Sequence, residues 1–291
     1  MTRPVEDILK EACGIAGIDA SGAELIRAGE NYLYRLRGLI VARVTRPGQI
    51  DSARKEVKVS RWLVTAGLPV VEVLPNVVQP VELDRRAITF WRQLSAHHKG
   101  SYLELAQLLR KLHNLPLPEF ELPPLAPFVR VRERLHEAFA LPDDDRQWLL
   151  GRLETLEASY AELPTTKTWC AVHGDAWIGN VASTSIGPVL LDLERFAYGP
   201  PEWDLVSVAV GYTTFGAMTA PAWDSFCDRY GYDVTVWEGF EVLRDIRELR
   251  KVTFAWQFAL DRTDIAEQAR YRLACLRGQH GDRPWRWSGV P

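Results

Sequence analysis

The sequence predicts an α+β chain of two lobes, a small antiparallel-sheet lobe with one helix and a larger, mostly helical lobe. Two observations predict it. Between Asn31 and Trp91, short β-branched or alternating runs (NYLYRL, GLIVARVT, PVVEVL, VVQPVEL, AITFW) are separated by turn-like breaks at Arg37-Gly38, Pro75-Asn76 and Asp84-Arg85. From Ser101 onward apolar residues recur at helical spacing instead, as in Leu105, Leu109 and Leu112. The boundary is placed after residue 92, with 1–92 ending in a linker and 93–291 forming the helical lobe.

One helix interrupts the sheet. DSARKEVKVSRWLVTAGLP opens on Asp51 or Ser52 as N-cap and stops at Gly67, ahead of Pro69. Glu56, Val59 and Leu63 share one face of it, so a carboxylate sits among residues that should point at the sheet and needs a partner. In the second lobe SYLELAQLLRKLH carries a capping-box pattern, Ser101 with Glu104. Helices follow at about 127–139 and 143–162, the latter with Leu149, Leu153, Leu156 and Tyr160 on one face. Between these elements the Pro-rich NLPLPEFELPPLAP reads as an ordered surface loop. WCAV, NVAST and PVLLDL read as strand fragments, the last two joined by a turn near 185–187 into a hairpin within the helical lobe. Further helices are expected at about 222–230, 239–259 and 264–278, and the two tryptophans of RPWRWSGV should pack back on the body.

Composition excludes several classes of function. A chain that is 47% hydrophobic and 25% charged is ordinary globular protein, and a net charge of −3 does not suit coating nucleic acid. Cys13, Cys170, Cys227 and Cys275 lie far apart without a CxxC pair, which favours buried free thiols over a zinc or redox site. No run reaches the roughly 18 apolar residues of a membrane span. The expectation is a cytoplasmic protein with no nucleic-acid or membrane partner.

The stretch WCAVHGDAWIGNVASTSIGPVLLDLERFAYGPPEWDL concentrates His173, Asp175, Asn180, Asp192, Glu194 and Asp204 among apolar and turn-forming residues. His173, Asp175 and Asn180 repeat the histidine, aspartate and asparagine spacing of a kinase catalytic loop, in which the aspartate accepts or orients the proton of an attacking hydroxyl. Asn180 offers a neutral hard oxygen to Mg²⁺, and Asp192, across the hairpin, a carboxylate able to bridge metal and the phosphates of a nucleotide. In GLIVARV, Arg43 stands where the kinase pattern VAIK has lysine, and Glu56 on the next helix is its natural ion-pair partner. Alternation leaves open which face of the strand Arg43 is on. A G-x-G-x-x-G loop is missing; a tight turn around Gly29-Glu30-Asn31 would cover the phosphates instead. A metal-dependent hydrolase is disfavoured because the second histidine cluster is lacking.

On VHGDAWIGNV, VLLDLERFAYGPPEWDL, GLIVARV and EVKVSRWLVTAGLPV, roughly residues 25 to 260, the chain resembles the aminoglycoside phosphotransferase superfamily, small-molecule kinases with the bilobal protein-kinase-like fold. The resemblance implies transfer of the γ-phosphoryl of ATP or GTP, with Mg²⁺, to a hydroxyl of a small acceptor in the interlobe cleft. It makes Asp175 the catalytic base, Asn180 and Asp192 the metal ligands, Arg43 the α/β-phosphate contact, Glu56 its partner, and His173 and Asp204 supports of the loop. Glu194 is either a further support or an acid facing substrate. The base should lie against GLIVA, with hydrogen bonds from the linker backbone at Phe90, Trp91 and Gln93. Arginine for lysine and the poor nucleotide loop keep one alternative in play, a catalytically silent protein of this fold that binds nucleotide or a partner.

Acceptor identity stays open at this level. Aminoglycosides, other antibiotics, sugars, choline-like alcohols and amino alcohols all suit the catalytic loop, so a role in antibiotic resistance and one in metabolism are both compatible with it. Asp224, Asp228, Glu238, Glu241, Asp245 and Glu248 either attract a cationic acceptor or are ordinary surface acids. Trp177, Trp223 and Trp256 either line a pocket or fill the core. His97, His98 and His113 read as surface residues.

Overall fold

The computed structural model describes residues 3–29, 31–164, 168–260 and 262–290. The chain divides into two compact units, Met1–Glu121 with Ile178–Phe196, and Leu122–Trp177 with Ala197–Pro291. This partition differs from the one expected at residue 92. The hairpin assigned from sequence to the helical lobe goes with the first unit, where Leu190 at the end of its second strand exchanges backbone hydrogen bonds with Pro69 and Val71.

The first unit is an antiparallel sheet in the order β1-β2-β3-β5-β4, from β1 (Glu24–Ala28), β2 (Tyr32–Leu36), β3 (Ile40–Val44), β4 (Val81–Leu83) and β5 (Arg86–Arg92). Ala42, Val44, Ile88 and Phe90 point to one face and bury against Ile8, Leu9, Ala12 and Cys13 of α1 (Val5–Ala16), a helix the sequence reading passed over. Val41 and Trp91 point to the other face and meet Val57 of α2 (Ile50–Thr65). Strand alternation thereby settles the question left open above: Arg43 shares the α2 side with Val41. The α2 helix starts one residue before Asp51 and has no side-chain cap; Asp51 pairs with Arg54 in its first turn. It stops as expected before Gly67, whose φ of 75° is costly for a residue with a Cβ.

PVVEVL is the one expected strand that does not form. Val70 and Val73 make only isolated bridges to Leu190 and Trp91, and Ser60 of α2 accepts the Val73 N–H and donates to Val71 O, which holds the segment against the helix. After β5 come β6 (His97–Lys99), with both histidines exposed, and α3 (Tyr102–His113), capped by Ser101 and Glu104 as predicted. The unit closes with the hairpin of β8 (Val181–Thr184) and β9 (Gly187–Leu190). Glu30 lies outside the described residues, so the expected phosphate-covering turn at 29–31 is only partly described.

In the second unit, α8 (Phe240–Phe258) packs against α4 (Val131–Glu137), α5 (Asp143–Ala161), α6 (Glu202–Thr213) and α9 (Thr263–Leu276). Its Leu243, Ile246, Leu249 and Val252 are fully buried, and α7 (Ala220–Tyr230) lies beside α6. Strands β7 (Cys170–Val172) and β10 (Ala197–Gly199) pair antiparallel. The Pro-rich segment is ordered as expected, because Pro123 and Leu125 hydrogen-bond the backbone of Tyr198 on both sides. A Cβ at Gly199 would come within 2.8 Å of Leu125, so only glycine lets that segment lie so close. Trp285 and Trp287 are buried and stacked, as the sequence suggested. None of the four cysteines forms a disulfide. Among the described residues no helix is long and apolar enough to cross a membrane.

Candidate active site

In the first unit Arg43 Nη1 donates to Glu56 Oε1 at 2.8 Å, and its Nη2 lies 3.5 Å from Glu194 Oε2. The carboxylate that needed a partner has one, reached from the adjacent strand. Burial opposes the charge of Arg43, but Glu56, Glu194 and Asp192 outweigh it and raise the guanidinium pKa. Burial pushes the Glu56 carboxyl up to about 7 against the pull of Arg43, and Glu194 and Asp192 add to the rise. Glu56 Oε2 has no hydrogen-bond partner among the described residues. Next to it Lys55, whose pKa is lowered chiefly by burial, donates from Nζ to Phe196 O at 3.0 Å.

Asn180 ends a tight helical turn (Ile178–Asn180) leading into β8, and Asp192 follows the end of β9. The Leu191 N–H donates to the backbone carbonyl of Asn180 at 2.9 Å, which holds the two strand ends side by side. Asp192 is exposed and has φ 54°, a left-handed conformation that an aspartate tolerates better than most residues. One amide and one carboxylate oxygen are hard donors of the kind Mg²⁺ accepts alongside water and phosphate. No group of three or more His, Cys, Asp and Glu residues is arranged to hold a metal ion among the described residues.

In the second unit Asp204, in the first turn of α6, is fully buried and accepts the backbone N–H groups of His173 at 2.6 Å and Gly174 at 2.9 Å. Gly174 adopts φ 83°, and its carbonyl accepts the indole N–H of Trp203 at 3.0 Å. His173 is fully buried and its Nδ1 accepts the Asp175 N–H at 3.3 Å, which requires the ring proton on Nε2. These bonds fix the backbone at Asp175 while its side chain stays 43% exposed. Sequence reading missed Arg247 of α8. Its guanidinium stacks 3.8 Å over Trp203, donates to Trp203 O at 3.0 Å, and places Nη1 4.0 Å from Asp175 Oδ1. Burial lowers its pKa to about 10. The signal was present: Arg247 falls on the apolar face of α8 with Leu243 and Ile246, the same anomaly that drew attention to Glu56.

The structure thus brings Arg43, Glu56 and Glu194 together, sets Asn180 and Asp192 on neighbouring strand ends, and ties the loop of His173 and Asp175 to Asp204 of α6. The backbone N–H groups of Phe90 and Gln93, expected to face a base, donate instead to Gln79 Oε1 and Leu39 O, both at 2.8 Å, and Trp91 opposes Val41 and Val73 in the sheet. The reason is that β5 runs on to Arg92, which leaves 94–96 as the chain between β5 and β6 beyond Gln93. Trp223 and Trp256 are core residues, whereas Trp177 is 49% exposed. Of the acids weighed for a cationic acceptor, Asp245 and Glu248 are bound to Arg283, and Asp245 also to Arg152 and Arg244.

A five-stranded sheet with a helix whose glutamate pairs with a strand cation, and a loop whose aspartate follows a buried histidine, define a protein of the kinase-like fold. The profile of the phosphotransferase enzyme family matches residues 25–250, and the chain belongs to that family. Solved structures agree on the fold. An amicoumacin kinase in complex with AMP-PNP and Ca²⁺ superposes with a TM-score of 0.74 at 14% identity over 95% of this chain and 94% of its own. A choline/ethanolamine kinase family protein from Mesorhizobium loti gives 0.67 at 17%, covering 95% of each chain. An aminoglycoside phosphotransferase from Streptomyces rimosus, in complex with ADP and streptomycin, gives 0.63 at 18% over 85% of this chain and 99% of its own. A search of curated proteins finds no significant match.

Proposed function

We propose that the protein transfers the γ-phosphoryl group of ATP or GTP to a hydroxyl of a small molecule. The observation that carries this reading is the Arg43–Glu56 pair, 2.8 Å long and buried on the α2 side of the sheet. Against a silent relative stands the presence of Asp175, Asn180 and Asp192 together, which binding of nucleotide alone does not call for. Arginine in place of lysine retains the charge and adds a planar, two-pronged grip on phosphate.

On this reading Arg43 binds the α- and β-phosphates, and Glu56 and Glu194 aim its guanidinium. Asn180 and Asp192 would hold Mg²⁺, which when bound supplies neutralisation of the triphosphate charge. Asp175 receives the acceptor hydroxyl and takes its proton, and Asp204 and His173 hold the loop still while it does so. Little covalent work is asked of the protein; orientation of the hydroxyl and stabilisation of charge carry the rate. On this reading an N-terminal part binds the nucleotide and a C-terminal part takes the acceptor. The base would then take hydrogen bonds from the chain at 94–96 and from carbonyls near it. Polar acceptors of the size of antibiotics, sugars or amino alcohols suit such a reaction.

The test is nucleoside diphosphate release from Mg·ATP and Mg·GTP across a panel of hydroxylated small molecules, with Asp175→Ala in parallel. The reading requires acceptor-dependent release that falls by about a hundredfold or more in the variant, the size expected for a positioned general base. Nucleotide binding without turnover by any acceptor would favour the silent protein.

A further inference from the structure

The charge around Asp175 in the second unit bears on the kind of molecule it would receive. Arg247 approaches it to 4.0 Å. One turn along α8, on the same face, stands Lys251, which is exposed and makes no ion pair or side-chain hydrogen bond among the described residues. The acid that acts on it is Asp175, and the other charges acting on it, Arg247, Arg272 and Arg250, are all positive. Arg272 donates to the carbonyls of Lys251 and Ser288, whereas Arg247 donates to those of Gly174 and Trp203 and is acted on by Asp175 and Asp204. The acids of α8 do not compensate, since Asp245 and Glu248 are bound to Arg283.

We infer that the acceptor alcohol carries a negatively charged group, a carboxylate or a phosphate monoester, and that Lys251 binds that group while Asp175 takes the hydroxyl. The inference rests on the phosphotransferase reading and narrows it. Arg247 beside Asp175 and Lys251 one turn further along α8 favour an anionic acceptor over a polycationic one, in both encounter and binding. Solvent reaches the Lys251 side chain, yet enough protein surrounds the ammonium that burial is the first cause of its lowered pKa. Asp175 works against that shift and the three arginines reinforce it. A cation placed in this way gains by taking an anion as partner.

The experiment measures steady-state transfer by the full chain to four sets of alcohols of similar size: neutral polyols, polycationic aminoglycosides, hydroxycarboxylates and phosphorylated polyols. Each set is run with the wild type, Lys251→Met and Lys251→Arg. The expected result is turnover led by one of the two anionic sets, which also identifies the anion as carboxylate or phosphate. Lys251→Met then raises the KM of that acceptor about ten- to a hundredfold, as loss of a charged hydrogen bond should, and Lys251→Arg restores most of it. Turnover led by neutral or polycationic alcohols overturns the inference and leaves the phosphotransferase reading standing. A Lys251→Met loss confined to kcat, with acceptor KM kept, also overturns it, since the lysine would then act on the transferring phosphoryl group. No release with any set, in the wild type as in Asp175→Ala, overturns the phosphotransferase reading and the inference with it.

Discussion

Arg43 and Glu56 stand thirteen residues apart in sequence and meet at 2.8 Å, strand to helix, with the carboxylate almost wholly out of water. Removing the cation leaves that carboxylate buried and uncompensated. Arg43→Met should therefore destabilise the fold by about 3 kcal/mol, the range for breaking a buried pair, whereas the double variant Arg43→Met/Glu56→Gln should recover much of the loss. Urea midpoints of the four proteins in the cycle decide it. A double variant no more stable than the single would mean the pair is not the source of the cost.

The raised Glu56 pKa has a definite sign in folding. The folded state holds its proton up to about pH 7 while the unfolded chain releases it at the ordinary value near 4.5, so the folded state binds more protons between the two. This contribution favours the fold at low pH and is lost as pH rises through that window, the reverse of a salt-bridged acid whose pKa is depressed. The difference in urea midpoint between wild type and Glu56→Gln should accordingly shift against the wild type from about pH 4 to about pH 8. Parallel profiles would show that Arg43 keeps the carboxyl ionised throughout.

Asp204 gives both carboxylate oxygens to the N–H groups of His173 and Gly174, at 2.6 and 2.9 Å. In Asp204→Asn one of those positions becomes an NH₂ facing an N–H donor. The loop must then shift, at about 1–3 kcal/mol for the unsatisfied groups. Because Asp175 follows directly, kcat should fall about a hundredfold through misplacement, with much less effect on nucleotide KM. Kinetics and circular dichroism of the folded variant check this. A kcat near that of the wild type would mean the loop holds its place without the acid.

The Asn180 and Asp192 pair should show in metal binding itself. Mn²⁺ with ATP, followed by electron paramagnetic resonance, should bind the wild type at least about tenfold more tightly than Asp192→Ala, because one of two protein oxygens is lost. Chelation should abolish transfer and Mg²⁺ restore it. Equal Mn²⁺ affinity in the two proteins would remove Asp192 from the donor set.

What could be read from the sequence divides along a physical line. Periodicity located α3, α5 and α8, and one carboxylate on the apolar face of α2 announced a buried ion pair, because such a group is costly without a partner. Spacing alone grouped His173, Asp175 and Asn180. The missed features depend on tertiary partners. PVVEVL has strand composition, but its polar backbone is partly satisfied by Ser60, thirteen residues from Val73. The hairpin went to the other unit because Leu190 bonds the backbone of Pro69 and Val71, about 120 positions earlier, and its other neighbour β6 is a three-residue strand of polar composition with no β signature of its own. Likewise the link of Arg247 to Asp175 spans 72 positions, beyond the reach of any local pattern.

That β6 pairing yields a last prediction. Gly100 follows β6 directly, and its N–H donates to Val181 O at 2.8 Å. A Cβ there would come within 2.6 Å of the Val181 Cβ, on a neighbour that is itself 1% exposed and has nowhere to go. Backbone must then move at the start of β8, one residue after Asn180. Gly100→Ala should cost about 1–3 kcal/mol by overpacking, against the small gain that glycine to alanine gives where space allows. The same displacement should weaken Mn²⁺·ATP binding, although Gly100 itself would touch neither metal nor nucleotide. Gly151→Ala, on α5 with no atom within 4 Å of the added Cβ, is the control expected to hold or raise stability. If Gly100→Ala is as stable as that control, β6 and β8 are packed less tightly than the distances require, and the hairpin is not what fixes Asn180.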